Sequence, residues 1–140
     1  MLEHHGAPAE LGRSIQRFIS WRRANKLPPA KARTFNLLYD DPALVAPDDY
    51  RFDLACEYQA ELSLQDSDMV SKSLPAGLWA KLRHTGSDDR LAQAVDYLYR
   101  QWLAQSGYQL RDFPLTLERI SFFPDVAEYD AITDIYLPLA

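Results

Sequence analysis

The sequence predicts an α+β fold made of tandem duplicated β-α-β-β units. Three observations predict it. A His-x-Gly signature recurs 80 residues on, an amphipathic helical pattern follows each copy, and two aromatic-rich strand patterns follow each helix. Repeats are sought first, because a missed period misassigns the whole fold. An offset of 80 sets Leu2 on Leu82, His4 on His84, Gly6 on Gly86, Leu11 on Leu91, Ile15 on Val95 and Phe18 on Leu98. Later the offset drifts to 82 for Phe35–Leu117 and Pro42–Pro124, and to 81 for Asp53–Asp134.

Each element follows from its pattern. Residues 9–24 carry Leu11, Ile15, Phe18, Ile19 and Arg22 at helical spacing. Residues 89–104 repeat this with Leu91, Val95, Leu98, Tyr99 and Trp102. Leu27-Pro28-Pro29 stops the first helix, since proline cannot continue one. Gly107 suits the C-terminal stop of the second. Strands are predicted at 33–39 and 115–122, each ending at a turn around Pro42 or Pro124. A further strand follows at 50–58 and at 133–137.

The second unit also has a strand before its helix, 74–83. Its counterpart in the first unit keeps only about three residues, so the first strand is expected to be short or missing. An incomplete strand leaves an open sheet edge, which invites pairing and predicts a homodimer. The boundaries are repeat one at 1–60, a linker at 61–72 and repeat two at 73–140, within one domain spanning 1–140. One helix on three strands leaves apolar surface exposed. Two units paired about a pseudo-two-fold axis would bury it, giving a largely antiparallel curved sheet with two main helices.

Composition narrows the function. The chain has 140 residues, 47% of them hydrophobic, enough for one core. A net charge of −5 disfavours contact with nucleic acid, which needs phosphate-neutralising Lys and Arg. The local basic group, Arg22, Arg23, Lys26, Lys31 and Arg33, reads as a solvated helix end. The acidic balance suits a neutral or cationic ligand. Cys56 is the single cysteine, lies in an apolar strand and has no base at hand, so it reads as packing. No signal peptide and no apolar run of membrane-spanning length is visible, which predicts a cytoplasmic chain with no membrane partner. The glycines are scattered singly, so no phosphate loop and no cofactor is expected. His4 and His84 lack carboxylates or thiols at ligand spacing. They are read as bonding the turn before each helix, and no metal is expected.

In order along the chain stand Leu2-Glu3-His4-His5-Gly6, Phe35-Asn36-Leu37-Leu38-Tyr39-Asp40-Asp41-Pro42 and Tyr50-Arg51-Phe52-Asp53. They are followed by Leu74-Pro75-Ala76-Gly77, Leu82-Arg83-His84-Thr85-Gly86, Trp102-Leu103-Ala104-Gln105-Ser106-Gly107-Tyr108 and Thr133-Asp134-Ile135-Tyr136-Leu137-Pro138. Together they resemble the GyrI-like small-molecule-binding family, found as the C-terminal domain of AraC-type transcription regulators and as free-standing proteins such as the gyrase inhibitor. The resemblance implies an effector-binding domain for an amphipathic or cationic, multidrug-type ligand. It carries no DNA-binding region of its own.

The resemblance also implies a pocket glutamate on the fifth strand, and Glu118 matches it. The family's tyrosine two residues later is Ile120 here. A carboxylate among Leu115, Leu117, Ile120 and Phe122 is costly to bury unpaired. A ligand cation would offset that cost, and aromatic faces would add cation–π attraction. The competing reading pairs Glu118 with Arg119 or a basic residue of a neighbouring strand. Trp79, Tyr39, Phe122, Tyr136, Trp21 and Trp102 are the aromatic candidates, although helical spacing also fits Trp21 and Trp102 to the core. Alternation puts Trp79 with Lys81 and Arg83, off the aliphatic face. Asn36, the mate of Glu118 at offset 82, would break the charge symmetry of the pocket.

Three functions compete. The first is a small-molecule sensor in transcription regulation. The second is a protein-interaction module acting on a partner such as DNA gyrase. The third is a hydrolase of reactive compounds using a pocket glutamate, which the absent tyrosine disfavours. The expectation is a binding protein rather than an enzyme.

Overall fold

A computed structural model of the chain describes residues 1–39, 45–57, 69–70, 73–122 and 126–140. The predicted turns at Pro42 and Pro124, the end of the 50–58 strand at Tyr58 and most of the 61–72 linker lie outside these residues. The chain divides into two compact units, Met1–Leu74 and Pro75–Ala140. Six strands and two main helices are present among the described residues, and the strand pairs within each unit are antiparallel. This is the α+β class that the patterns predict.

In the first unit, β1 (Leu2–His5), α1 (Leu11–Ala24), β2 (Thr34–Leu38) and β3 (Arg51–Cys56) follow in order. β3 is central, pairing with β1 on one side and β2 on the other. β1 is short, as expected. Its open edge is partly covered, because Leu2 bridges Met69 and the Met1 amine donates to the Val70 carbonyl at 2.9 Å.

The second unit repeats the order with β4 (Leu78–Thr85), a helix, β5 (Leu115–Ser121) and β6 (Ile132–Leu139). β6 is central between β4 and β5. The helix runs as α2 (Leu91–Tyr97), a π-helical turn (Leu98–Trp102) and α3 (Leu103–Ser106). It stops at Gly107, whose φ of +79° suits the left-handed cap. β4 starts four residues later than the predicted strand, just after Gly77.

The His-x-Gly signature has a physical reason in both units. Gly6 and Gly86 have φ of +131° and +133°, where a β-carbon is strained. The N–H of Gly6 donates to the Tyr50 carbonyl at 2.9 Å, and that of Gly86 to the Ala131 carbonyl at 2.8 Å. Nε2 of His4 donates to the Ala7 carbonyl at 3.3 Å, and Nε2 of His84 to the Ser87 carbonyl at 3.0 Å. A carbonyl only accepts, so Nε2 carries the proton. Nδ1 of a neutral His4 then accepts from the Ser14 hydroxyl at 2.7 Å.

Each helix covers one face of its sheet with a narrow stripe. Phe18 lies in a cluster with Leu2, Tyr50, Phe52, Leu54 and Met69. Leu91 and Leu98 are buried on the second helix. Ile15 and Tyr99, expected on these stripes, are instead 37% and 38% exposed. A cylinder on a sheet buries little more than one line of side chains.

The basic group at the end of α1 is not simply a solvated helix end. Arg22 is buried and donates to the Leu27 carbonyl, the Thr34 hydroxyl and the Ala32 carbonyl at 2.8–2.9 Å. It ties the helix end to the loop that leads into β2. The helix closes with Leu27 N–H on the Arg22 carbonyl and Lys26 N–H on the Arg23 carbonyl. Lys26 therefore takes the left-handed conformation, with φ of +57°.

Two substitutions test these backbone requirements in urea melts. Gly86→Ala is expected to destabilise by about 1–3 kcal/mol, because its φ belongs to glycine. Lys26→Gly is expected to stabilise by about 1 kcal/mol, because glycine fits the left-handed cap without strain.

Candidate functional site

In an antiparallel pair, directly opposed residues share a face of the sheet. In the second unit, the face turned from the aliphatic core is built by three strands. β4 supplies Trp79, Lys81 and Arg83, opposite Pro138, Tyr136 and Asp134 of β6. β5 supplies Thr116 and Glu118, opposite Tyr136 and Asp134. The other face holds Leu82, Leu117, Ile135 and Leu137, of which the last three are fully buried.

Asp134 sits at the middle of this polar face and is 1% exposed. Arg83 grips it with two bonds of 2.8 and 3.1 Å, and Lys81 lies 3.3 Å away. The Arg83 guanidinium holds the Asp134 carboxyl below the usual carboxylate range, against the opposing effect of burial.

Glu118 is 6% exposed and accepts a hydrogen bond from the Tyr136 hydroxyl at 3.3 Å. Burial first, and then the Glu118 charge, push the Tyr136 phenol upward, so it remains a donor at neutral pH. Arg119 lies on the opposite face and donates to Asp88 at 2.7 Å and to Thr133 at 3.3 Å. Alternation therefore sets the Arg119 side chain on the face opposite to Glu118. Ile120 is the extra residue of a bulge between Arg119 and Ser121 and is 43% exposed. A bulged residue leaves the ladder and re-aims its side chain.

Trp79 is half-buried on the same face as Glu118. Tyr136 meets it edge-on at 6.3 Å and 90°, and Phe113 does the same at 6.0 Å and 83°. The Arg111 guanidinium lies over the Trp79 ring, 4.8 Å from its centroid. Tyr136 thus joins the two, bonding the buried carboxylate through its hydroxyl and meeting the Trp79 ring edge-on. Such a face can hold a cation by charge and by ring quadrupoles together.

The first unit carries a different group on the matching face. Asp53, fully buried, accepts from the Tyr39 hydroxyl at 2.9 Å and from Arg51 at 3.4 Å. Arg51 also pairs with Glu3 and lies 4.0 Å from the Tyr39 ring centroid. Burial and then the Asp53 bond raise the Tyr39 phenol pKa. Tyr39 is thus engaged in an internal ion network.

The register corrects the mate of Glu118. Asp134 pairs with Glu118, while Asp53 pairs with Leu37. Leu37, not Asn36, holds the corresponding position. Asn36 opposes Leu54 and shares its core-side face, where its amide lies 3.5 Å from the Asp53 carbonyl. A one-residue shift in offset moves a side chain through the sheet.

Of the other aromatic candidates, Trp21 packs against the first unit's core and stacks on Phe18 at 6.0 Å. Trp102 lies in the π-helical turn and stacks on Tyr108 at 6.2 Å. Phe122 is half-buried one residue beyond β5. So the structure places Tyr136 against both Glu118 and Trp79. Arg111 and Phe113 were missed because they precede β5 in an irregular segment, where no period marks a facing. The signal was composition alone: an arginine and an aromatic beside Pro114.

Burial raises the Cys56 thiol, which keeps it protonated. Among the described residues no group of three or more His, Cys, Asp or Glu side chains is placed to hold a metal. No helix of the described residues is long and apolar enough to cross a membrane.

Comparison with known proteins places this geometry. Residues 1–140 match the model of the GyrI-like small molecule binding domain. The chain is 33% identical over 141 residues to the probable transcriptional regulator YgiV of Escherichia coli K12, covering all of this chain and 88% of that protein. It is 30% identical over 105 residues to a DNA gyrase inhibitor of Serratia proteamaculans, covering 73% of this chain and 66% of that protein. Its fold is similar to a chain in the cryo-EM structure of an EcmrR–DNA complex, at a TM-score of 0.72 and 18% identity. That match covers 99% of this chain and 55% of the other, so this chain spans about half of its length.

The Asp134 ion group has a pH signature. Its folded pKa is depressed, so its stabilisation is present above the ordinary carboxylate value and is lost as pH falls through the folded one. Urea melts should show stability falling from about pH 4 downward. Asp134→Asn should cost about 1–3 kcal/mol at pH 7 and flatten that acid limb.

Proposed function

Because the chain belongs to the GyrI-like small molecule binding domain family, we propose that it binds an amphipathic, cation-bearing compound on the Glu118 face and serves as the sensing part of transcription regulation. The observation that carries this reading is Glu118 itself. A carboxylate 6% exposed, bonded to Tyr136, whose ring meets Trp79 edge-on, puts negative charge beside aromatic faces. A ligand cation would be drawn by that charge, and the aromatic rings supply contact area without further polar groups.

The relative named as a probable transcriptional regulator supports the regulatory part. The fold shared with a chain of an EcmrR–DNA complex is compatible with it. The acidic balance supports a domain that reads the ligand and leaves DNA contact to other chain segments or partners. The reading is of a multidrug-type, non-catalytic sensor of the kind found in AraC-type regulators, working in the cytoplasm. The common strand order and the paired His–carbonyl bonds of both units support descent from one duplicated unit.

A second reading rests on the relative named DNA gyrase inhibitor, which points to a protein partner. Titration with quaternary ammonium compounds and cationic dyes separates the two. Binding is expected to quench tryptophan fluorescence, with the quench lost in Trp79→Phe. Glu118→Gln should weaken cations about tenfold, which is ~1.4 kcal/mol, and leave neutral isosteres unchanged. A broad panel with no binder would favour the protein partner, and equal binding by Glu118→Gln would remove the electrostatic part.

A further inference from the structure

Arg111 occupies the face of Trp79, and the way it is held is incomplete. Nη1 donates to the Ala76 carbonyl at 2.7 Å. Nε and Nη2 are buried without a hydrogen-bond partner among the described residues. Native structures rarely leave buried donors unmatched, since each carries its full desolvation cost. The guanidinium is thus kept in place by one backbone carbonyl and by the π-face of Trp79, 4.8 Å away. Phe113 and Tyr136 stand edge-on around the same indole.

Gly77 completes the enclosure. A β-carbon there would lie 2.0 Å from Nη1 of Arg111. Glycine at this position lets the Ala76–Gly77 backbone close over the guanidinium. The arrangement is therefore an aromatic group already holding a cation that the chain itself supplies.

We propose that Arg111 is an internal stand-in for the ligand's cationic group, seated on Trp79 until ligand displaces it. This rests on the cation reading of the Glu118 face. A quaternary ammonium brings positive charge to the indole without N–H groups that would need partners. Arg111 leaves with two buried donors that gain hydrogen bonds in water. The exchange favours permanent, weakly hydrated cations over primary amines and sets a threshold that weak cations do not pass. It also moves the backbone. Once Arg111 leaves, the Ala76 carbonyl loses its partner, and the segment leading into β4 is released from the segment leading into β5. Ligand occupancy is thereby converted into a change at Pro75–Gly77.

Calorimetry with benzyltrimethylammonium tests this on wild type, Arg111→Met, Arg111→Lys and Glu118→Gln. Arg111→Met is expected to bind about 5–10-fold tighter, because the competitor is gone. Arg111→Lys should stay near wild type, because a cation remains. Unchanged or weaker binding by a folded Arg111→Met overturns the proposal. A second measurement on the wild type needs no variant. The Arg111 Nε proton should exchange slowly in the free protein and fast at saturating benzyltrimethylammonium, and continued protection at saturation overturns the proposal. If wild type and Glu118→Gln bind alike or not at all, the cation reading falls and takes this proposal with it. If Glu118→Gln weakens binding but Arg111→Met does not tighten it, only the Arg111 role falls.

Discussion

The two-residue period of the central strands, β3 and β6, is the constraint on which the rest depends. Each central strand must serve two environments at once. Its core-side residues, Phe52 and Leu54 in one unit and Ile135 and Leu137 in the other, are buried with the aliphatic side of the sheet. The alternate residues face away, and there each strand carries a buried aspartate, Asp53 or Asp134. An ionised carboxylate inside a sheet persists only with charged or hydrogen-bonding partners. That requirement dictates what the flanking strands must supply.

The two units meet it differently. In the first, Tyr39, Arg51 and Glu3 close the network around Asp53. In the second, Arg83 and Lys81 serve Asp134 from β4. β5 then adds a second carboxylate, Glu118, where β2 has Leu37. The same frame therefore carries a closed ion network in one unit and an acidic, aromatic-lined face in the other. The two units differ at one register position, where a leucine in the first corresponds to a glutamate in the second that bonds Tyr136.

Arg111 links this electrostatic face to the backbone. Its side chain reaches both Trp79 and the Ala76 carbonyl, and so joins the indole to the strand entry at Gly77. Binding domains need such an element to report occupancy, because ligand must bind two conformations unequally to shift them.

The sequence alone determined the frame. The recurrent His-x-Gly motif was legible because only glycine suits the φ of Gly6 and Gly86, and because His4 and His84 bond the carbonyl three residues on. Helices and most strands followed from local periodicity, since period and burial are tied along one element, and the short β1 followed from the repeat offset. Glu118 and Trp79 were legible as residues off the aliphatic pattern. Tertiary structure decided what no local period encodes. The mate of Glu118 is Leu37 rather than Asn36, because register is set by pairing between strands and one residue of slip reverses the face. Arg22 is buried because loop carbonyls 5 and 10 residues away in the chain fold back onto it. Arg111 and Phe113 join Trp79 from an irregular segment, where position depends on contacts across the fold and not on neighbours in the chain.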